Sequence, residues 1–266
     1  MTAAGSPTAA EKRLRTAAVA AASFLADRTG VAAAFLAGSV VDGYGNPSSD
    51  IDVLVLADGD TPTSTAPHGH SFRFEDCLVE VCHYGGERLD VETRSLAGFR
   101  GVVTRVNGLP LTQQGAVTLD EFTLQFLHQL RCGRDLCGSS VLADLRTQIE
   151  WPRVAELIRL RRESDYAGHA EDAAGAIQAE DAATALLTSR RALGSAMDCL
   201  IAALGHTNSK EKWRYRKLAD LGRDDLIERC LRLECDADTS PQAILAGARR
   251  RLVAAQGLVT EAGQIQ

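Results

Sequence analysis

The sequence contains no uninterrupted apolar run of about 18 residues, the length that a membrane-spanning helix requires. The nearest candidate is the Ala-rich stretch 17–25. It is about half that length and follows basic residues at positions 12, 13 and 15 without a secretory cleavage pattern. We therefore expect an amphipathic helix in this stretch and no membrane partner.

An excess of positive charge is also missing. The 266 residues include 29 Lys and Arg against 35 Asp and Glu, for a net charge of −6, and only four of the basic residues are lysine. Non-specific nucleic-acid binding depends on clustered Lys and Arg side chains that displace counterions from phosphates. We therefore expect no nucleic-acid partner, and a cationic small molecule fits the charge better.

The seven cysteines lack the features of a disulfide framework or a zinc knuckle. Their number is odd and no secretory signal precedes them, which indicates a reducing, cytoplasmic location. Six of them form pairs with four residues between the partners, whereas zinc knuckles use two: Cys77 and Cys82, Cys132 and Cys137, and Cys230 and Cys235. We expect structural or incidental roles for all of them.

The first half of the chain alternates short strands with helices. Apolar spacing and turn formers predict a helix at 9–28, strands at 31–37, 50–56, 71–74 and 78–84, and a helix near 119–131. The last two strands are expected to form an antiparallel hairpin. We therefore expect a small mixed-sheet domain over residues 1–146.

The composition changes after Trp151. Gly and Pro become rare, and Ala, Leu, Arg and Glu recur at helical spacing to about residue 256. Breaks near 167–172, 205–208 and 236–241 divide this half into four or five helices, enough for a bundle with its own core. We predict an α+β protein in which an all-helical domain, residues 147–266, follows the mixed-sheet domain.

The most informative pattern is a Gly38-Ser39 turn followed, after ten residues, by Asp50-Ile51-Asp52 at the head of an apolar strand. Because side chains at i and i+2 of a strand point to the same face, Asp50 and Asp52 can bind a divalent metal together. A Gly-Ser turn ahead of a helix offers backbone N–H and hydroxyl donors to a phosphate. The pattern therefore predicts a site for a metal-bound nucleotide.

Glu80 is the candidate for a third carboxylate, because it lies in an apolar strand between Val79 and Val81. Burying an unpaired carboxylate is costly, so this side chain needs a cation. A metal shared with Asp50 and Asp52 would supply one. Glu80 would then act either as a metal ligand or as the general base that removes a proton from the acceptor.

Gly38, Ser39, Asp50 and Asp52 match the signature of the DNA polymerase beta type nucleotidyltransferase superfamily, which the chain resembles over residues 31–84. Such a domain followed by a helical bundle resembles the antibiotic adenylyltransferases, including the streptomycin and spectinomycin adenylyltransferases and kanamycin nucleotidyltransferase. The resemblance implies transfer of a nucleoside monophosphate, AMP from ATP, with release of pyrophosphate. It also implies two Mg²⁺ ions held by Asp50, Asp52 and Glu80, and nucleotide binding by the Gly38-Ser39 turn.

Residues 205–213 resemble the Gly, Lys and Trp arrangement of the streptomycin and spectinomycin adenylyltransferases, in which a lysine contacts the triphosphate. The resemblance implies this role for Lys210, with Lys212 and Lys217 as alternatives. The arginine that accompanies the lysine in that family is not matched, because Met197 stands at its position.

The resemblance implies a small hydroxylated acceptor such as an aminoglycoside antibiotic, and hence antibiotic resistance. Acidic residues between 163 and 181 would favour a cationic acceptor if they face it. Three alternatives remain: the same transfer to another metabolite or to a protein side chain, a catalytically silent nucleotide sensor or interaction protein, and a ribonuclease that uses Arg162 and His169. The intact acids argue against the sensor, and a helix break between Arg162 and His169 would argue against the ribonuclease.

Overall fold

The computed structural model describes residues 8–46, 48–59, 70–74, 77–84, 86–208, 210–235 and 239–265. The chain divides into two compact units. The sheet unit contains Met1–Val106 and Phe126–Ile149, and the helical unit contains Asn107–Gln125 and Glu150–Gln266. The chain therefore passes from the mainly β part to the mainly α part at residue 150, a few residues after the expected boundary, and residues 107–125 group with the later helices.

A six-stranded mixed sheet forms the sheet unit, with the strand order β3-β4-β5-β2-β1-β6. The strands are β1 Val31–Ala37, β2 Ile51–Ala57, β3 His70–Phe74, β4 Cys77–Tyr84, β5 Glu87–Ser95 and β6 Arg134–Cys137. β2 and β5 run parallel, and the other neighbouring strands run antiparallel. The expected mixed sheet and the β3–β4 hairpin are confirmed. The connections at 60–69 and 75–76, and Pro47, lie outside the described residues.

Helix α1, Ala9–Ala26, covers one face of this sheet. It begins with a capping box in which the Glu11 N–H donates to Thr8 Oγ1 at 3.2 Å and the Glu11 carboxylate accepts from the Thr8 N–H. Its Phe24 side chain is buried with Ile51 and Val53 of β2. Because strand side chains alternate, the aspartates that flank these apolar residues lie on the other face of the sheet.

The remaining helices of the sheet unit follow β1, β5 and β6. They are α2 Gly38–Val41, α3 Leu96–Gly108, α5 Glu121–Cys132 and α6 Ser139–Gln148. On the sheet face away from α1, the Phe99 ring of α3 and the Phe126 ring of α5 make an edge contact. The helix expected near 119–131 is thus confirmed as α5.

Two long helices and one C-terminal helix build the core of the helical unit. Its helices are α4 Gln113–Val117, α7 Trp151–Gln178, α8 Ala182–Ala203, a 3₁₀ turn at Glu211–Trp213, α9 Arg214–Asp220, α10 Asp224–Glu234 and α11 Pro241–Gln264. Leu193 and Leu200 of α8 and Leu258 of α11 are fully or almost fully buried in this core. Burial of each such side chain contributes roughly 1.5–3 kcal/mol to folding.

One expected helix break is wrong. α7 is continuous through residues 167–172, and the chain turns instead at Glu180, which has a φ of +57°. Gly168 and the polar residues beside it suggest a break, but Asp165 forms ion pairs with Arg161 and Arg162 one turn earlier, which support the helix. Across the described residues, no helix is both long enough and apolar enough to cross a membrane.

Candidate active site

The turn at the end of β1 packs Gly38 against the side chain of Asp52. Ala37 of β1 lies opposite Asp52 of β2, and Gly38 has a φ of +74°. A Cβ atom at position 38 would lie 1.7 Å from the Asp52 Oδ2 atom. Only glycine meets both conditions, so the backbone at the start of α2 can approach the Asp52 carboxylate directly.

Ser39 follows this contact and closes the next loop. Its carbonyl oxygen accepts from the Tyr44 N–H at 2.8 Å and from the Gly45 N–H at 2.7 Å. The Ser39 hydroxyl makes no hydrogen bond to any residue that the structure describes. This hydroxyl is therefore available to a ligand beside Asp52.

Helix α1 fixes the turn that precedes Asp50. The Asn46 N–H donates to Ser49 Oγ at 3.0 Å within that turn. Arg13 of α1 donates to the Ser49 carbonyl oxygen at 2.7 Å and forms an ion pair with Glu87, the first residue of β5. A single arginine thus ties together α1, the approach to Asp50 and the start of β5.

Asp90 of β5 lies directly beside Asp52 of β2 in the parallel register. Residues at matched positions of neighbouring strands share a face, so Asp50, Asp52 and Asp90 lie on the same side of the sheet. Arg88 donates to Asp90 Oδ1 at 2.9 Å and to Oδ2 at 3.0 Å. The hydrogen bonds and charge of Asp90 raise the pKa of Arg88, and the charges of Asp50 and Asp52 raise it further. These three acids and one guanidinium form one electrostatic group with an excess of negative charge.

Glu80 lies on the opposite face of the sheet. It pairs with Val91 of β5, which pairs with Val53 of β2, so it is one residue out of phase with the aspartates. The Glu80 side chain is 0% exposed, Arg28 Nη2 donates to its Oε1 atom at 3.0 Å, and Arg28 Nη1 lies 2.9 Å from Oε2. The cation that burial demands is therefore Arg28, and the structure does not bring Glu80 to Asp50 and Asp52.

The alternation within β5 was a signal for Asp90. The polar residues Arg88, Asp90 and Glu92 alternate with the apolar residues Leu89 and Val91, a pattern that is typical of a strand with one buried and one more exposed face. The sequence did not show that β5 pairs with β2, because pairing between strands this far apart leaves no local pattern.

The donor set of Asp50, Asp52 and Asp90 fits a divalent cation, since Mg²⁺ prefers carboxylate oxygens. The three carboxylates do not form a tight cage here. Among the described residues, only Asp42, His128 and Cys132 place ligand atoms within 4.8 Å of one another. Arg88 holds both carboxylate oxygens of Asp90 in this arrangement.

A buried polar group anchors the other end of α2. Asp42, which follows α2, has its Oδ2 atom 3.1 Å from His128 Nε2, and His128 Nδ1 lies 3.8 Å from Cys132 Sγ. Burial lowers the pKa of His128, but the hydrogen bonds and charges of Asp42 and Cys132 outweigh burial and raise it to about 9. His128 is thus protonated at neutral pH, and its ion pair with Asp42 ties α2 to α5.

Lys210 lines a cavity of about 900 Å³ in the helical unit. The basic residues of the cavity are Arg162, Arg190, Arg191, Lys210, Lys212 and Arg214, and Met197 also lines it. Arg162, Arg190 and Arg214 form ion pairs with acidic residues. Lys210 donates to the neutral Gln125 Oε1 at 3.1 Å, and Arg191 has no ionic partner among the described residues. Lys210 and Arg191 therefore give the cavity positive charge that no acidic residue neutralises in the part of the chain that the structure describes.

Three of the six acidic residues between 163 and 181 are engaged within the helices, and the other three are exposed. Glu163 pairs with Arg159 at 2.9 Å, and Asp165 pairs with Arg162 at 3.0 Å. Asp181 caps α8 through its side chain. These carboxylates stabilise helices, so they add little to the expected attraction for a cationic acceptor. Arg162 and His169 line the same cavity on one continuous helix, which removes the objection based on a helix break, although Arg162 is held by acids.

We expect Glu80→Gln to destabilise the fold. The substitution leaves the Arg28 guanidinium beside a neutral partner in a buried setting, and breaking such a pair costs about 3–5 kcal/mol. Urea unfolding measures the change. Glu228→Gln, in a pair with Arg232 whose side chains are 69% and 75% exposed, is the control and should change the free energy of unfolding by at most about 1 kcal/mol. A Glu80→Gln chain as stable as the control would contradict the structural role.

Stability should depend on pH through His128. Its pKa is about 9 in the folded chain against 6.5 for the free side chain, so the stabilisation is complete below pH 6.5 and is lost as the pH rises through 9. The shift corresponds to about 3 kcal/mol. We expect the difference in unfolding free energy between wild type and His128→Asn to shrink over this range. A difference that is constant from pH 6 to about 9.5 would contradict the ion pair.

The family model for the nucleotidyltransferase domain matches residues 20–113, a span that contains Gly38, Ser39, Asp50, Asp52 and Asp90. No curated protein matches the chain significantly. The structure of a nucleotidyltransferase-like protein from Exiguobacterium sibiricum 255-15 is similar over 94% of this chain and 78% of its own, at 12% identity and a TM-score of 0.43. Residues 20–113 therefore form a nucleotidyltransferase domain, and the chain is a nucleotidyltransferase.

Proposed function

We propose that the chain transfers a nucleoside monophosphate, AMP from ATP, to a hydroxyl group of a small molecule and releases pyrophosphate. The observation that carries this proposal is the register of β2 and β5, which sets Asp90 beside Asp52 next to the Gly38-Ser39 turn. Three carboxylates on one face and a serine hydroxyl without a partner among the described residues suit a metal-bound triphosphate.

In this proposal Asp50, Asp52 and Asp90 hold Mg²⁺, and Asp90 takes the part that the sequence suggested for Glu80. When bound, the metal neutralises charge on the phosphates and lowers the pKa of the acceptor hydroxyl. The acceptor oxygen attacks the α-phosphorus as the bond to the diphosphate breaks. Asp90 is also placed to accept the acceptor proton, and the Ser39 hydroxyl to donate to a phosphate oxygen.

The uncommitted cations of the helical cavity support triphosphate binding by the helical unit. Lys210 gives up only a hydrogen bond to a neutral amide when it binds an anion, and Arg191 gives up no ion pair with a described residue. Arg214, by contrast, is held by Asp198 through two hydrogen bonds, at 3.0 and 2.8 Å. Lys210 and Arg191 are therefore our phosphate ligands in this unit, with Met197 where related enzymes have an arginine.

The resemblance to the antibiotic adenylyltransferases makes a hydroxylated aminoglycoside the first acceptor to test. The engaged acids of α7 give a cationic acceptor little extra support. A panel of aminoglycosides and neutral hydroxylated metabolites separates the alternatives. Pyrophosphate release with a neutral metabolite alone would indicate a biosynthetic acceptor, and labelling of a protein would indicate a side-chain acceptor.

Pyrophosphate release in the presence of Mg²⁺ and ATP tests the carboxylate assignment. We expect Asp52→Asn and Asp90→Asn to lower kcat at least about 100-fold, because each removes a ligand or base. Glu80→Gln is the matched control. It changes a neighbouring acid on the opposite face, and the folded fraction of that variant should keep a rate within a few-fold of wild type. Loss of activity in Glu80→Gln with activity retained in Asp90→Asn would overturn the assignment, and ATP binding without turnover would favour a silent sensor.

Lys210→Ala should raise the KM for ATP by about 10- to 100-fold with a smaller effect on kcat, because it removes a charge-assisted hydrogen bond. Lys217→Ala is the matched control, since Lys217 does not line the cavity. Steady-state kinetics with varied ATP distinguish the two variants. Equal effects of both substitutions would show that the helical cavity does not bind the triphosphate.

A further inference from the structure

We propose that Cys132 is an activated thiol and a site of covalent modification by soft electrophiles, with protonated His128 as the donor that stabilises its thiolate and Asp42 as the group that orients His128. This inference concerns a cluster outside the proposed nucleotide site and does not depend on nucleotidyl transfer. It differs from the expectation that all the cysteines are structural or incidental.

The three side chains form a continuous chain of contacts. Cys132 Sγ lies 3.8 Å from His128 Nδ1, a hydrogen-bonding distance for sulfur, and His128 Nε2 lies 3.1 Å from Asp42 Oδ2. His128 and Cys132 are four residues apart on α5 and so lie on one face of the helix. A sulfur, an imidazolium that donates to it and an acid that orients the imidazolium, in this order, favour the thiolate form of the cysteine.

The burial of His128 and Asp42 also supports an activated thiol at Cys132. The His128 side chain is 4% exposed and that of Asp42 is 6% exposed, so water competes little for their hydrogen bonds. Cys132 is half-buried, in contrast to the four buried cysteines. When the imidazole is protonated, Nε2–H donates to Asp42 and Nδ1–H donates to sulfur, an arrangement that stabilises the thiolate.

The other cysteines have different surroundings. Cys77, Cys82, Cys199 and Cys230 are buried, and burial raises the pKa values of Cys82, Cys199 and Cys230. Cys137 is half-buried like Cys132, and burial raises its pKa. Cys235 is exposed. Cys235 therefore serves as the reference for an exposed thiol, and Cys137 as the reference for a thiol that is half-buried like Cys132.

The reaction with iodoacetamide tests the proposal. The Cys132 thiol loses its proton to solvent, the thiolate sulfur beside the His128 imidazolium forms a bond to the methylene carbon, and iodide leaves with the electron pair of the carbon–iodine bond. Alkylation of each cysteine is followed by mass spectrometry in one sample of the full chain. At pH 7 we expect Cys132 to react at least about tenfold faster than either Cys137 or Cys235, because the His128 imidazolium beside its sulfur favours the reactive thiolate.

His128→Asn and Asp42→Asn provide the matched variants. Each should slow alkylation of Cys132 at least about fivefold while leaving the rate of Cys235 unchanged. Continued protection of Cys199 and Cys230 shows in the same sample that the variant is folded. Equal rates at Cys132 and Cys137, or no effect of either variant in a folded chain, would overturn the proposal. The proposal would also be overturned if the purified protein contained stoichiometric zinc and the Cys132→Ser substitution abolished zinc binding, because the sulfur would then be a metal ligand.

Alkylation of Cys132 should also lower the activity of the candidate active site. Alkylation changes the sulfur that contacts His128 Nδ1, and we expect it to disturb the pair of His128 with Asp42 at the end of α2. We expect pyrophosphate release to fall in step with Cys132 alkylation in wild type and to be insensitive to iodoacetamide in Cys132→Ala. This expectation alone rests on the proposed function. The alkylation rates test the thiol even in a chain without transfer activity.

Discussion

The close approach of Gly38 to Asp52 is the constraint on which the candidate site depends. A side chain at position 38 would occupy the place of the Asp52 carboxylate, so the backbone that begins α2 can reach Asp52 only through glycine. The rest of the sheet unit holds this contact in place. Arg13 ties the turn before Asp50 to β5, and the Asp42–His128 pair ties the end of α2 to α5.

Local patterns predicted the parts of the site that are local in the chain. The Gly38-Ser39 turn, the Asp50-Ile51-Asp52 strand and helix α1 each have a signal within a few residues, and the structure forms each of them. The position of Asp90 beside Asp52 has no such local signal. Asp90 reaches it through the pairing of β2 with β5, which is set by contacts spread over the whole sheet.

For Glu80, the sequence correctly indicated that the buried carboxylate needs a cation but did not identify which cation it is. Burial of its carboxylate did require a cation, and the structure supplies one. That cation is Arg28, which follows α1 and lies far from Glu80 in sequence, rather than a metal shared with the aspartates. Likewise, the polar residues around Gly168 suggested a helix break that ion pairs on α7 offset. The contact with Arg28 lies outside the local sequence window, whereas the ion pairs on α7 are local contacts that the sequence itself contains.

Anomalous diffraction from crystals grown with Mn²⁺ and a non-hydrolysable ATP analogue tests the central claim most directly. We predict a manganese peak bounded by Asp50, Asp52 and Asp90, with Arg88 moved away from Asp90 and the Arg28–Glu80 pair intact. A peak bound by Glu80 with its link to Arg28 broken, or a nucleotide-bound metal that contacts neither Asp52 nor Asp90, would contradict it.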